Sequence, residues 1–218
     1  MKKIFTLLAL LITTSISYSQ IQDHKLIIDP SFSKYAKDHK IIAIIPFVTS
    51  INLKEKQSKK LKEGQLEKME EAESMQVQQS IFSWLLKRKE KGKMWVNVQD
   101  VKTTNILLAK NGITYSNISE FTPVEIAKIL KVDAIVRGFF KTKSPHSDVG
   151  SMVLSAGGFG GATNVSKINM FINNGQDGRI LVNFIKTISG GVASSPEDLI
   201  NTLMRKASRR IPYTNPKK

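Results

Sequence analysis

Apolar runs of strand length recur along the chain, separated by segments with helical spacing. Residues 40–47 form an unbroken, Ile-rich apolar run, which is typical of a strand buried on both faces. Two later runs, at residues 94–98 and 132–140, have the same length and character. Strands of this kind usually lie in a sheet that carries helices on its faces, so the pattern predicts an α/β layered domain.

Helices are predicted between these strands by periodicity and by end signals. Val77, Ile81 and Leu85 recur at helical spacing and predict a helix that packs on the core. Asp100 is a candidate cap for a helix that ends before residues 111–112. The sequence Thr-Pro-Val-Glu at residues 122–125 combines a cap, a proline at the first helical position and a capping-box glutamate. Ser195 and Pro196 begin the last predicted helix in the same way.

Two further strands are predicted to form a hairpin. Residues 165–172 and 179–188 are apolar stretches on either side of a loop with two turn-forming Asn-Gly and Asp-Gly pairs. The predicted fold class is therefore α/β. A mixed β-sheet of about five strands carries helices on its faces, in the order β-α-β-α-α-β-β-β-α.

The first nineteen residues have the pattern of an export signal. Lys2 and Lys3 precede an apolar run at residues 4–12, and small residues follow up to Ser19. About 20 apolar residues are needed to cross a bilayer, and this run is half as long. We expect cleavage before Gln20, and an uncleaved anchor is the weaker alternative. Because the chain has no cysteine, the mature protein is not expected to be a lipoprotein.

The remaining chain is expected to form one domain with short extensions. Residues 20–39 are predicted as an N-terminal extension and residues 40–211 as a single α/β domain. The domain would contain a charged helical insertion at 54–73 and a Gly-rich loop at 144–164. Residues 212–218 would form a basic tail. The apolar content of 41% is enough for one sizeable core.

The positive charge is concentrated at the carboxyl end. The 218 residues include 33 Lys and Arg against 18 Asp and Glu, a formal net charge of +15. No acidic residue occurs after Asp198, whereas six basic residues do: Arg205, Lys206, Arg209, Arg210, Lys217 and Lys218. The simpler interpretation has two parts. The helix dipole favours cations in the last turn of the helix, and the basic residues of the tail are exposed to solvent. The alternative is an anionic partner, with Arg209 and Arg210 as candidate contacts. Export argues against nucleic acid as that partner.

The Gly-rich loop is a second candidate contact. Residues 157–161 do not match G-x-G-x-x-G and lack the lysine of a phosphate-binding loop, so phosphate binding is not expected. A turn between strands is the simpler interpretation. The functional alternative is that Met152, Leu154 and Phe159 insert into a membrane surface or a partner groove.

No residue pattern predicts catalysis, a metal or a cofactor. The sequence contains no G-x-S-x-G motif and no cysteine. His24, His39 and His146 fall at positions typical of exposed loops. Asp133 is predicted to close a helix–strand junction, although an acid catalyst is an alternative. Trp84 and Trp95 are predicted to lie in the core. We therefore expect the protein not to be an enzyme.

Two strings resemble a known bacterial family. Residues 41–47 resemble the "IAVLPF"-like opening strand, and residues 127–138 resemble the "A..LGADAIVTG" junction, with Lys131 where a glycine is common. Both features are shared by the α/β domain of the TolB amino-terminal region, the curli secretion protein CsgG and the periplasmic activators of penicillin-binding proteins. The resemblance implies an envelope accessory protein that binds other proteins and catalyses nothing.

Taken together, these features predict an exported, non-catalytic envelope accessory protein that acts through protein–protein interaction. Its expected location is the periplasm, with an extracellular location as the alternative. Two other functions stay open: a hydrolase acting on an envelope polymer, and a basic adhesion module for an anionic membrane or glycan surface. The sequence leaves the partner's identity and the oligomeric state open.

Overall fold

The computed structural model describes residues 24–143, 165–189 and 196–213. The predicted signal peptide, the whole of the Gly-rich loop at 144–164 and residues 214–218 lie outside this part of the chain. The strands are His24–Ile28 (β1), Ile41–Ile44 (β2), Val48–Ile51 (β3), Asn97–Val98 (β4), Ala134–Thr142 (β5), Val165–Asn174 (β6) and Ile180–Ser189 (β7). The helices are Phe32–Ala36 (α1), Glu55–Ser58 (α2), Gln65–Glu90 (α3), Val101–Lys110 (α4), Pro123–Leu130 (α5) and Pro196–Ser208 (α6), with a 3₁₀ turn at Ile118–Glu120.

The strands form one mixed sheet in the order β1-β7-β6-β5-β2-β4, and β3 also pairs with β5. β2, β3 and β4 run parallel to their neighbours, whereas β5, β6, β7 and β1 are antiparallel. The predicted α/β class with a mixed sheet is confirmed. The described sheet has seven strands where about five were expected, and the two additional ones are β1 and β3.

The sequence pattern did not predict β1 or β3, and each case has a physical explanation. Pro46 has no N–H to donate, so the run that begins with β2 loses its pairing there and resumes at Val48 beside the same strand β5. β1 is short and pairs only with β7, which is distant along the chain. Its segment was expected to lie outside the domain, yet β1 joins the sheet and Phe32 of α1 is buried in the core.

The charged segment at residues 54–73 is partly helical. After the short helix α2, a single helix of 26 residues, α3, continues from Gln65 through the core-facing stretch to Glu90. Gly64 immediately before it has a φ of +73°, which lets the chain turn sharply into the helix. Within α3, Val77, Ile81 and Leu85 are fully buried, as their spacing predicted.

Two apolar layers hold helices on the opposite faces of the sheet. On one face, α3 and α6 cover side chains of β2, β5, β6 and β7, with Phe140, Met170 and Phe184 at the centre. On the other face, α4 and α5 cover Ala43 of β2, Ile45 immediately after it and only the first residues of β5. In the described ranges, no helix is long and apolar enough to cross a membrane.

The start of α5 shows the predicted capping box. The Thr122 hydroxyl accepts from the Glu125 N–H at 3.2 Å, and the Glu125 carboxylate accepts from the Thr122 N–H at 2.8 Å. The Thr122 hydroxyl and N–H both donate to the Glu125 carboxylate and lower the pKa of Glu125. We expect Thr122→Ala to lower the free energy of unfolding by about 1 kcal/mol, measured by urea denaturation. Thr122→Ser keeps the hydroxyl and should restore most of it, and an unchanged midpoint for Thr122→Ala would contradict the role of the cap.

The structure decides three predictions that were made for individual side chains near the sheet. The prediction that His39 is exposed is wrong, since only 7% of its surface is accessible. The prediction that Trp95 lies in the core is also wrong, since it is 36% exposed. Asp133 closes its helix–strand junction: its carboxylate accepts from the backbone N–H groups of Lys40 and Ile41 at 2.7 and 2.9 Å.

Candidate functional site

The last helix positions two adjacent arginines in a turn fixed at both ends. Leu203, Met204 and Ala207 of α6 are fully buried against the sheet and α3. The helix ends at Ser208, and Arg209 and Arg210 follow in a turn with both side chains exposed. Beyond them the chain is buried again, with Ile211 fully inaccessible. The backbone that carries the two arginines is therefore held at a defined place on the surface.

A hydrogen-bonded chain anchors the residues that follow. Tyr213 is fully buried and its hydroxyl lies 2.7 Å from His39 Nδ1. His39 Nε2 lies 3.1 Å from Asn174 Oδ1, an acceptor, so Nε2 carries the proton and Nδ1 accepts from Tyr213. Burial lowers the pKa of His39 and raises the pKa of Tyr213 well above its ordinary value. The anchor therefore requires a neutral imidazole.

This anchor predicts a pH dependence of stability. His39 in the folded protein has a pKa below its ordinary value of about 6.5, so the unfolded chain binds the proton more readily. The contribution of His39 to the free energy of unfolding is fully present above pH 6.5. It is lost as the pH falls towards the pKa of His39 in the folded protein. His39→Gln keeps a donor and an acceptor but does not titrate. The difference in unfolding free energy between the two proteins should therefore change between about pH 7.5 and pH 5, and a pH-independent difference would contradict this role.

A cleft with a volume of about 490 Å³ opens beside the end of α6. It forms because β1 extends the sheet beyond β7, past the area that α6 covers. His24 of β1 pairs with Lys186 of β7, so the two side chains lie on the same face as the helix. We call this site the basic cleft, and its lining residues are His24, Phe184, Lys186, Lys206, Arg209 and Arg210.

The lining of the basic cleft contains no acidic side chain among the residues that the structure describes. Among the described residues, none of its lysines or arginines lies in an ion pair with a carboxylate. Arg210 Nη2 is 3.5 Å from His24 Nε2, a contact between two nitrogen atoms. The neighbouring Arg88 of α3 is half-buried, and burial together with the positive charge of Arg209 lowers its pKa. Its Nε atom has no hydrogen-bond partner in the described part of the chain.

The electrostatics of this arrangement favour an anion. Like charges that converge on a concave surface repel one another and destabilise the folded chain. A carboxylate or phosphate that enters the cleft would relieve this repulsion and accept charge-assisted hydrogen bonds from Arg209 and Arg210. Phe184, which belongs to the buried core, also forms part of the cleft wall. The arrangement is therefore suited to binding an anion.

A smaller polar depression lies next to the His39 anchor. It has a volume of about 130 Å³, and Asp38, His39, Asp133 and Asn174 contribute to its lining. Both ring nitrogens of His39 are engaged by other side chains, and the Asp133 carboxylate is engaged by backbone N–H groups. These groups hold the fold together here. The described residues contain no cluster of three or more side chains suited to a metal ion.

The structure separates the candidate contacts predicted from the sequence. Arg209 and Arg210 lie together in the basic cleft. Met152, Leu154 and Phe159 lie outside the described residues, so their predicted contacts stay a prediction. Sequence reasoning missed His24 and Lys186. The alternation along β7 places Lys186 and Phe184 on one face, but only the pairing with β1 brings this face to α6.

Comparisons with known proteins give distant likenesses. No protein-family model and no curated protein sequence matches the chain. Among solved structures, the PelC dodecamer from Paraburkholderia phytofirmans is 10% identical with a TM-score of 0.43, covering 86% of this chain and 94% of that one. Lipoprotein GNA1162 from Neisseria meningitidis is 12% identical with a TM-score of 0.41, covering 78% and 95%. The LpoB C-terminal domain from Salmonella enterica is 12% identical with a TM-score of 0.37, covering 74% and 94%. Sequence identities and TM-scores this low say nothing about function, so function is inferred from the basic cleft alone.

Proposed function

We propose that this chain is an exported, non-catalytic accessory protein of the bacterial cell envelope, and that it acts by binding an acidic surface of a partner protein. Residues 1–19 are its cleaved export signal, and it works in the periplasm. The observation that supports this function is the basic cleft, where Lys186, Lys206, Arg209 and Arg210 converge without a described carboxylate partner.

The shape of the cleft favours a protein over a flat anionic surface. A concave site of about 490 Å³ admits one or a few projecting side chains, whereas a planar membrane would touch only its rim. The fixed turn that carries Arg209 and Arg210 also lowers the entropy lost on binding, because the two side chains start from a rigid backbone.

The test is chemical cross-linking in an envelope preparation, followed by identification of the linked protein. The variant Lys206→Gln, Arg209→Gln, Arg210→Gln removes three charges from the cleft. Lys102→Gln, Lys110→Gln, Lys128→Gln is the matched control, because it removes three exposed charges from α4 and α5. We expect one protein to be linked by the wild type and the control but not by the cleft variant. Equal linking by both variants, or recovery of lipid or glycan in place of protein, would falsify the proposal.

A further inference from the structure

The sheet has a second exposed surface, on the face opposite to the basic cleft. α4 and α5 cover Ile135 at the start of β5, but further along the same face Phe139 is 50% exposed. No helix of the described ranges covers this part of the sheet. In the register, Phe139 of β5 lies in one row with Ile185 of β7, and Phe171 of β6 lies in the next row with Ile27 of β1. We call this surface the open face.

The centre of the open face is apolar and aromatic. The rings of Phe139 and Phe171 meet edge to face, with centroids 6.3 Å apart. Ile27 is 46% exposed at the outer edge. Beneath these side chains, the Oδ1 atoms of Asn169 and Asn183 are buried and accept no hydrogen bond within the described part of the chain. A connected patch of this kind, with unmet acceptors inside it, is typical of an interaction site.

The charged side chains that the strands present on this face have one sign. Lys25, Arg137, Lys141 and Lys167 lie on the open face, and strands β1, β5, β6 and β7 contain no acidic residue. Lys141 and Lys167 are direct cross-strand neighbours. Two like charges in this position destabilise a sheet, so the pair has a cost in the free protein. An acidic group bound between the two lysines would remove this cost.

The shape of the open face selects among anionic occupants. α4 and α5 stand beside it and rise by about one helix diameter, roughly 10 Å, above the sheet. A planar membrane would meet these two helices before it reached Phe139. A second copy of the chain would bring the same lysines and repel them. A single α-helix fits a step of this depth and can carry an apolar stripe between acidic flanks.

We propose that the open face docks an amphipathic helix of a partner protein, whose apolar stripe packs on Phe139 and Phe171 and whose Asp and Glu side chains meet Lys141 and Lys167. The helix lies alongside α5 and completes the helix layer on this face. Polar donors next to its apolar stripe reach Asn169 and Asn183 when these side chains rotate. This surface is separate from the basic cleft, which lies on the opposite face of the sheet.

The experiment uses a synthetic helical peptide with Leu at helical spacing and Glu on both flanks, labelled for fluorescence anisotropy. Two control peptides have Lys in place of Glu, or the same composition in an order that breaks the stripe. We expect the wild type to bind the first peptide and neither control. Phe139→Ser should weaken binding by about tenfold or more. Equal binding of the reordered peptide would overturn the proposal, as would binding of phosphatidylglycerol vesicles in place of the peptide.

The variant Lys141→Glu distinguishes an effect on peptide binding from an effect on folding. This change replaces the like-charge pair with an attractive one, so the free protein should become more stable to urea while its affinity for the peptide falls by about tenfold. The titrations are carried out in an Arg209→Gln, Arg210→Gln background, in which the basic cleft no longer competes for the acidic peptide. Binding that persists in this background and falls with Lys141→Glu distinguishes the open face from the cleft. A Lys141→Glu protein that binds as tightly as the wild type would overturn the proposal.

Discussion

Reversing both arginine charges in the basic cleft is expected to abolish its affinity for acidic ligands. In Arg209→Glu with Arg210→Glu, two cations that would pair with the ligand become two anions that repel it. Losing the partners of charged contacts in a recessed site costs several kcal/mol, so we expect affinity for a penta-glutamate peptide to fall about a hundredfold or more. Isothermal titration calorimetry at low salt measures it directly.

The control for this prediction is the same charge change elsewhere. Lys102→Glu with Lys128→Glu alters the net charge equally, but these two exposed side chains lie on α4 and α5. Long-range attraction alone would weaken both variants to a similar degree, and salt would screen both effects. A specific cleft predicts a large loss for the arginine pair and a small one for the lysine pair. Equal losses would show that only the net charge matters.

Replacing Gly138 by alanine is expected to disrupt the fold. Gly138 lies in β5, where an added Cβ would collide with the backbone oxygen of Asn169 in β6. The same Cβ would lie 2.7 Å from Phe47 Cε1 and 3.0 Å from Met170 Cα. Backbone atoms of a paired strand cannot move aside without breaking the ladder between β5 and β6. We expect a loss of about 3 kcal/mol or more in the free energy of unfolding, measured by urea denaturation.

Gly92 is the matched glycine. It has a φ of +63°, and an added Cβ would meet nothing within 4 Å. Gly92→Ala should therefore cost only the strain of a left-handed residue, about 1–2 kcal/mol. The order of the two effects is the test, since Gly138→Ala must be clearly the more destabilising. If the two substitutions lower the free energy of unfolding equally, close packing between β5 and β6 does not explain the effect of Gly138→Ala.

The sequence was informative where local rules determine the structure. The capping box at Thr122, the buried stripe of Val77, Ile81 and Leu85, and the hairpin of β6 and β7 all follow from spacing and turn chemistry. These features depend on neighbours within a few residues. For the same reason, the mixed α/β class was predictable from the alternation of strands and helices.

The features that the sequence did not predict depend on contacts between distant segments. His39 has the surroundings of a loop residue, but Tyr213 and Asn174 bury it. Likewise, the pairing of His24 with Lys186 cannot be read from either strand alone. Arg209 and Arg210 could be selected because local charge density is visible in the sequence. Their companions in the cleft are brought together only when β1 joins the sheet.

A specific basic cleft implies one defined binding position for an acidic ligand. Titration of the isotope-labelled protein with penta-glutamate, followed by ¹H–¹⁵N NMR, maps that position residue by residue. We predict that the perturbed backbone amides cluster at β1, β7 and the end of α6, around His24, Lys186, Lys206, Arg209 and Arg210. Perturbations that instead follow the exposed lysines of α3, or that spread evenly over the surface, would contradict a specific basic cleft.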